Sequence, residues 1–345
     1  MKLCTVAISV GCPAGVGPEV AIFGAARTRG VAHCILVGDR AVIERAAKLR
    51  RVALSKIVPV SDEHGARALA PSEIGWWSGS TALAEPPPYG VPTAEGGAAQ
   101  LAWVDEATDL VRAGIADALV TGPVSKAAIA SSGAPGAEAF RGHTEHLGAR
   151  LGADEVIMAF AGNELVTALV TTHLAIADVP RAITREGVAA STFWLACLLA
   201  DLGKERPRIA VASLNPHAGE GGLLGREEID TIAPGIEMAR ERLAARGVAA
   251  EVVGPIGAET AIRLAAAGKY DGVVTMYHDQ ATIPSKLLGF GEAVNVTLGL
   301  PIVRTSVDHG TGYDVAGTGD AEPRGMIEAI RLAVRLVPRG RSRTT

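Results

Sequence analysis

Short apolar runs alternate with longer amphipathic segments along most of the chain. The apolar runs are rich in β-branched and small residues, which is typical of strands buried on both faces of a parallel sheet. They include residues 3–10, 116–120, 208–212 and 272–276. Residues 98–112 and 227–246 carry apolar side chains at helical spacing instead. The alternation predicts an α/β fold with a mostly parallel sheet.

Local signals add detail to this prediction. Thr184 has the residue type of an N-cap, and it predicts a helix that runs to about residue 202. Asp39 is a second candidate N-cap. Residues 71–92 include three consecutive prolines and predict an irregular loop, in which Trp76 and Trp77 are expected to pack.

A glycine-rich segment, residues 11–19, follows the first predicted strand and leads into a helix. Such a loop can bring backbone N–H groups close to an anion, or it can be a tight packing turn. It does not match the dinucleotide fingerprint G-x-G-x-x-G, because Val20 stands where the third glycine would be. The sequence leaves both interpretations open.

Composition argues against several classes of partner. The formal net charge is −4 and only 4% of residues are aromatic, which gives no support for nucleic-acid binding. No apolar run approaches the roughly 20 residues that a membrane-spanning helix needs. The four cysteines are scattered without a CxxC pair, so neither a disulfide framework nor a cysteine-based zinc site is indicated. A cytoplasmic location is therefore expected.

Three of the eight histidines follow a short apolar strand within a few residues. They are His173, His217 and His278. Because parallel strands end at one edge of the sheet, these imidazoles can meet there and bind a divalent metal. The ligand type suits Zn²⁺ or Co²⁺, and Mg²⁺ could be held with added oxygen ligands. The alternative for each histidine alone is a capping or packing role.

A second set of polar residues could hold an anion. Lys286, Asn295 and Arg304 lie in a segment that is otherwise apolar or glycine-rich. With His143 and Thr144 they could bind a phosphate or a carboxylate, although each alone could equally be a surface charge or an ion pair.

Seven motifs together resemble those of the 4-hydroxythreonine-4-phosphate dehydrogenase family. They occur in the family's order and span nearly the whole chain. The motifs are residues 11–19, TGPVSK at 121–126, GHTE at 142–145, VTTH at 170–173, LNPHAGEGG at 214–222, YHDQ at 277–280 and TSVDHGT at 305–311.

The resemblance implies a fold like that of isocitrate and isopropylmalate dehydrogenases, with two α/β domains and an interdomain cleft. The first domain is expected to contain residues 1–135 and 305–345, and the second residues 136–304. The resemblance also implies a homodimer whose active site is shared between subunits. It further implies NAD or NADP as cofactor, bound without a Rossmann loop, and one divalent metal per active site.

The resemblance assigns roles residue by residue. The metal ligands are His173, His217 and His278, the last reaching into the partner's site, together with Glu259 where the family usually has Asp. The substrate-binding residues are His143, Thr144, Lys286, Asn295 and Arg304. The expected catalytic residues are Lys286, His143 and Asp308. The expected cofactor-binding residues are Gly299, Asp308, His309 and Gly310.

The implied reaction is metal-dependent, NAD(P)-linked oxidation of 4-phosphooxy-L-threonine in pyridoxal phosphate biosynthesis, with decarboxylation. One alternative is a related enzyme that oxidises a threonate or erythronate 4-phosphate, or an aromatic cis-dihydrodiol carboxylate of the terephthalate dihydrodiol type. Another is a non-catalytic sensor of a phosphorylated ligand. Cys12 replaces a usual acidic residue and Gly312-Tyr313 replaces a commoner Ala-Leu, and these departures bear on the substrate more than on the reaction type.

Overall fold

The computed structural model describes residues 3–289 and 291–340. The strands in this part of the chain are β1 (Cys4–Ser9), β2 (Ala32–Val37), β3 (Ile57–Val60), β4 (Ile74–Trp77), β5 (Ala118–Thr121), β6 (Ile157–Ala161), β7 (Val166–Leu169), β8 (Arg208–Ala212), β9 (Glu251–Ile256), β10 (Gly272–Thr275), β11 (Val294–Leu298) and β12 (Arg304–Ser306).

The α-helices are α1 (Gly17–Arg27), α2 (Arg40–Leu49), α3 (Glu63–Ala68), α4 (Ala94–Arg112), α5 (Lys126–Ala130), α6 (His143–Leu151), α7 (Val179–Ala182), α8 (Arg185–Asp201), α9 (Ala233–Ala245), α10 (Ala258–Ala266), α11 (His278–Leu288) and α12 (Arg324–Gly340). Two shorter elements matter for the site. They are a 3₁₀ segment, Pro216–Gly222, and a π-helix, Glu228–Ile232.

The chain divides into two compact units. Unit 1 extends to Gly152 and resumes at Leu300, and unit 2 is Ala153–Gly299. In unit 1 the strand order is β3-β4-β2-β1-β5-β12, and the strand pairs are parallel. Burial of β1 explains its continuous apolar sequence, because Val6, Ala7 and Ile8 are 0% exposed.

Unit 2 contains the strand order β11-β6-β7-β10-β8-β9. Strand β6 is antiparallel to both β11 and β7, whereas β7, β10, β8 and β9 pair in parallel. The exits of β7, β10 and β8 therefore lie at the same edge of this sheet. The predicted α/β class with a mostly parallel sheet is confirmed.

Two predicted caps are also confirmed. Asp39 accepts a hydrogen bond from the Val42 amide at the start of α2, and Thr184 accepts one from the Gly187 amide at the start of α8. Each side chain thereby satisfies one of the amides that a first helical turn leaves without an intrahelical partner.

The prediction of an irregular loop over residues 71–92 is wrong in part. Residues 74–77 form β4, which pairs in parallel with β2 and β3. Ile74 is fully buried, and the Trp76 indole donates a hydrogen bond to the Gly38 carbonyl at 2.9 Å. Tertiary pairing therefore overrides the local turn signals of the flanking prolines. No helix in the described residues is both long and apolar enough to cross a membrane.

Candidate active site

The histidine loops of unit 2 are joined by hydrogen bonds between their strand exits. Thr171, just before His173, donates a hydrogen bond through Oγ1 to the Met276 carbonyl at 2.7 Å, at the end of β10. Gln280 then links β10 to β8, because its Oε1 accepts from the Met276 amide at 2.7 Å and its Nε2 donates to the Ser213 carbonyl at 2.9 Å. The three loops thus form one connected edge.

His173 and His278 are brought together at this edge. Their ring centroids are 5.4 Å apart and the rings are inclined by 41°. His278 Nδ1 lies 2.7 Å from Asp279 Oδ1, a contact of the kind that orients a metal-ligating imidazole. Two imidazoles in this arrangement fit the donor chemistry of a divalent cation.

His217 lies on an unusual loop after β8. The five consecutive residues His217, Ala218, Gly219, Glu220 and Gly221 have φ angles of +51°, +54°, +77°, +47° and +66°. Left-handed backbone costs a residue with a Cβ roughly 1–2 kcal/mol, so the three non-glycine residues store conformational strain here. Strain of this kind is found where surrounding structure imposes a functional geometry.

The predicted ligand set is not gathered as one cluster in the described part of a single chain. No group of three or more His, Cys, Asp or Glu side chains placed to hold a metal ion occurs among those residues. The fourth candidate, Glu259, is exposed on α10. Its carboxylate accepts hydrogen bonds from Arg263 Nε at 2.8 Å and Thr260 Oγ1 at 2.9 Å, and these bonds lower its pKa.

A cationic cluster in unit 1 is formed by residues of α6 and β12. Gly142 is the N-cap of α6 and offers no side-chain cap, so amides of the first helical turn face outward beside His143 and Thr144. Arg304 on β12 is 2% exposed, and its Nη2 donates to Thr121 Oγ1 at 2.6 Å. The helix N-terminus and the buried guanidinium both favour an anion.

The pKa shifts of His143 and Arg304 are consistent with an anion site at this cationic cluster. Burial lowers the pKa of His143 well below its ordinary value, and the positive charges of Arg304, His146 and Lys126 lower it further. Burial also lowers the pKa of Arg304 to about 9, an effect that the Glu145 carboxylate opposes. His143 is therefore neutral at pH 7, and its Nε2 is buried without a hydrogen-bond partner among the described residues.

The other two predicted substrate residues belong to unit 2. Lys286 is exposed in the last turn of α11, and Asn295 is half-buried on β11, opposite Phe160 of β6. The five predicted substrate residues are thus divided between the two units.

The predicted cofactor residues are divided in the same way. Asp308, His309 and Gly310 follow β12 in unit 1, whereas Gly299 follows β11 in unit 2. Gly299 has a φ of +88°, and a Cβ there would lie 2.1 Å from the Glu155 carbonyl oxygen, so only glycine fits.

The glycine-rich loop after β1 contacts the segment that follows Gly310. The Val16 amide donates to the Thr311 carbonyl at 2.8 Å, and Cys12 Sγ shares a hydrogen bond with Tyr313 Oη at 3.4 Å. Burial raises the pKa of Tyr313, and its hydrogen bond with Cys12 contributes to the increase. Sequence reasoning noted Cys12 and Tyr313 separately but missed their contact.

Several positioning residues were also missed by sequence reasoning. Thr171, Gln280 and Glu228 hold the histidine loops through hydrogen bonds to backbone groups. The first two lie inside the VTTH and YHDQ motifs, where their polarity next to a predicted metal ligand was the available signal.

Comparison with known proteins places the chain in a family. Residues 30–333 match the family model described as pyridoxal phosphate biosynthetic protein PdxA. A relative from Desulfosudis oleivorans, named 4-hydroxythreonine-4-phosphate dehydrogenase, is 42% identical over 332 residues that cover 95% of each protein.

Solved structures give the same result. A 4-hydroxythreonine-4-phosphate dehydrogenase from Klebsiella pneumoniae superposes with a TM-score of 0.81 at 34% identity, covering 98% of this chain and 100% of that one. A terephthalate 1,2-cis-dihydrodiol dehydrogenase from Burkholderia xenovorans superposes with a TM-score of 0.65 at 32% identity, covering 97% and 98%. The predicted resemblance and the predicted enzyme class, a dehydrogenase, are confirmed. The chain belongs to the family of pyridoxal phosphate biosynthetic protein PdxA.

Proposed function

We propose that this protein oxidises 4-phosphooxy-L-threonine, with NAD or NADP as hydride acceptor and one divalent metal ion, in pyridoxal phosphate biosynthesis. The observation that carries the proposal is the buried cationic cluster of unit 1, in which Arg304 lies close to His143 at the start of α6. A phosphate there gains the Arg304 guanidinium, the Thr144 hydroxyl and the amides at the start of α6. Neutral His143 adds a hydrogen bond through Nε2.

The proposed metal ligands are His173, His217 and His278, with Zn²⁺, Co²⁺ or Mg²⁺ as the ion. The parallel pairing of β7, β10 and β8 supports the placement of His173 and His217 at one edge of the sheet, and His278 is proposed to reach the site of a second subunit. A bound cation of this kind supplies Lewis acidity that lowers the pKa of a substrate hydroxyl. Glu259 remains a candidate ligand if it exchanges its contacts with Arg263 and Thr260 for the ion.

The remaining roles belong to residues that orient the substrate and the cofactor. Lys286 and Asn295 complete the hydrogen bonds to the substrate, and the ammonium of Lys286 balances negative charge that develops during oxidation. The Asp308 carboxylate would accept the proton of the substrate hydroxyl, and a bound NAD or NADP would supply the hydride acceptor. Gly299, Asp308, His309 and Gly310 are the proposed cofactor contacts, and His143 is the third proposed catalytic residue beside Lys286 and Asp308. A carboxylate β to the new ketone would then be lost as CO₂.

We also propose that the active site is completed in a homodimer. Unit 2 exposes several large apolar side chains, including Ile283 at 56% and Leu287 at 81%, which are four residues apart on α11. This spacing places them on one helix face beside the proposed catalytic Lys286. Burial of this face against a second subunit would remove it from water. A shared site also accounts for a ligand set that is not gathered among the described residues of one subunit.

The dimer is tested by sedimentation of Leu287→Glu. The charge should convert a dimer into a monomer and remove activity together with it. Val31→Glu is the matched control, because Val31 is an exposed apolar residue of unit 1 at 40% exposure. A monomeric wild-type protein with full activity would contradict the proposal.

A second candidate function is oxidation of an aromatic cis-dihydrodiol carboxylate. It is favoured by the similarity to the Burkholderia xenovorans enzyme and by the phenol of Tyr313, which lies next to Cys12 in a loop near the proposed cofactor residues. A carboxylate could replace phosphate at Arg304 through a bidentate contact. Threonate or erythronate 4-phosphate is a further substrate to test with the same set.

The deciding experiment is an assay of the purified protein with Zn²⁺, Co²⁺ or Mg²⁺ and with NAD⁺ or NADP⁺. Formation of NAD(P)H is measured with 4-phosphooxy-L-threonine, the sugar-acid phosphates and a terephthalate-type dihydrodiol. The proposal predicts the highest kcat/KM for 4-phosphooxy-L-threonine. Turnover of the dihydrodiol alone would overturn it in favour of the second candidate. Binding of a phosphorylated substrate without any NAD(P)H formation would instead indicate a sensor.

A further inference from the structure

Glu228 is a buried carboxylate that faces the loop carrying His217. It is 2% exposed and lies eleven residues beyond His217, at the first position of the π-helix Glu228–Ile232. Its Oε1 accepts hydrogen bonds from the amides of Leu214 at 2.9 Å and Asn215 at 2.8 Å. Its Oε2 accepts a third from Asn215 Nδ2 at 2.9 Å. One side chain thereby binds the backbone at the start of the loop.

The carboxylate also fills the inside of the loop. A Cβ on Gly219 would lie 2.8 Å from Glu228 Oε2 and 2.9 Å from the Gly225 carbonyl oxygen, so glycine is required there. The Leu224 amide donates to the Gly219 carbonyl at 3.1 Å and closes the turn on the opposite side. Glu228 therefore hydrogen-bonds to the loop before His217 and lies close to Gly219 after it.

The π-helix explains how Glu228 reaches this position. The wider turn at Glu228–Ile232 precedes α9, and π-turns inside helices occur frequently at functional sites. The left-handed run from His217 to Gly221 is unfavourable for its non-glycine residues, so it persists only where neighbouring groups impose it. The three hydrogen bonds to Glu228 are charge-assisted and are the contacts best placed to do so.

We propose that Glu228 is a positioning residue that holds the His217 loop in its left-handed conformation and thereby sets the affinity of the metal site. The inference rests on the proposed role of His217 as a metal ligand. Outer groups that orient a metal ligand typically change metal affinity by about 10- to 100-fold when they are removed. Glu228 acts here through the backbone that carries the ligand instead of through the imidazole itself.

The test compares three variants of the full-length protein. Glu228→Ala removes all three acceptor contacts, and Glu228→Gln keeps one oxygen but presents an amide NH₂ toward Asn215 Nδ2. Glu227→Ala is the matched control, because Glu227 accepts only from the Asn215 side chain at 2.7 Å in the contacts observed. Binding of Zn²⁺, Co²⁺ and Mg²⁺, each as the metal alone, is measured by calorimetry, and amide hydrogen exchange of residues 214–225 is measured without metal.

Glu228→Ala should weaken metal binding by about 10- to 100-fold and accelerate exchange of the loop amides. Glu228→Gln should show smaller changes in the same direction, and Glu227→Ala should match the wild type. Wild-type affinity and exchange in Glu228→Ala would overturn the inference. If Glu228→Ala does not fold, wild-type behaviour of Glu228→Gln in both measurements overturns it.

The two proposals can fail separately. If the wild-type protein binds none of Zn²⁺, Co²⁺ and Mg²⁺, the metal role of His217 is wrong, and so is any effect of Glu228 on metal affinity. Hydrogen exchange then still decides whether Glu228 holds the loop. If the wild-type protein binds metal and His217→Ala does not, the metal site stands and the Glu228 variants alone decide the inference.

Discussion

Tyr313 Oη lies 3.4 Å from Cys12 Sγ, although 301 residues separate them along the chain. Cys12 is 1% exposed, so the contact is excluded from water on the side of the thiol. The contact joins the loop after β1 to the segment after β12 through a thiol and a phenol.

We expect a measurable coupling between these two side chains. A hydrogen bond between buried groups contributes about 0.5–1.5 kcal/mol to the free energy of unfolding. Urea unfolding of Cys12→Ala, Tyr313→Phe and the double variant should give an interaction energy in this range. Strictly additive effects of the two substitutions would show that the contact does not stabilise the fold.

Substitution of Arg304 should weaken binding of the phosphorylated substrate. Arg304→Lys keeps a cation but loses the planar fork, and hydrogen bonds to charged groups contribute about 1.5–3 kcal/mol. The KM for the phosphorylated substrate should therefore rise by about 10- to 150-fold. Steady-state kinetics with Thr121→Val provides the control, since that variant removes only the hydroxyl that accepts from Arg304. Equal effects of both variants would argue against a direct contact with substrate.

The free energy of unfolding should decrease as the pH is lowered from 6.5, because of His143. Its pKa is held well below 6.5 in the folded state, so the unfolded chain takes up a proton that the folded chain does not. The free energy of unfolding then decreases by up to about 1.4 kcal/mol for each pH unit below 6.5, until the folded-state pKa is reached. Denaturant unfolding of His143→Gln between pH 7 and pH 5 should give a shallower slope. Parallel slopes would mean that the imidazole is not buried as described.

His217→Gly should separate stability from metal binding. Glycine adopts the left-handed backbone at this position without the steric cost of a Cβ, so the metal-free variant should be more stable by about 1 kcal/mol. The same change removes the imidazole and should abolish metal retention and activity. Urea unfolding after treatment with a chelator, together with metal analysis, checks both parts. A destabilised variant would show that the imidazole has structural contacts that outweigh the strain.

Elements with a continuous apolar pattern were predictable from the sequence, and so was the common edge of three histidine loops. Strand β4 was not, because its short run Ile74–Trp77 lies among turn-forming residues and forms through pairing with β2 and β3. The Cys12–Tyr313 contact and the reach of Glu228 to the Leu214 amide were not predictable either. They depend on where distant loops and a π-turn lie in space, which periodicity does not encode.

The hydrogen bonds that join Thr171, Met276, Gln280 and Ser213 have a consequence for the order of assembly. Two of these contacts, Thr171 to Met276 and Gln280 to Ser213, join residues more than sixty positions apart, and such non-local contacts form slowly because loop closure must precede them. The strand exits acquire their spacing only once β7, β10 and β8 are paired. If the proposed metal ion binds at this edge, we therefore expect it to bind a sheet that has already formed. It would then stabilise the folded protein without acting as a template for its folding.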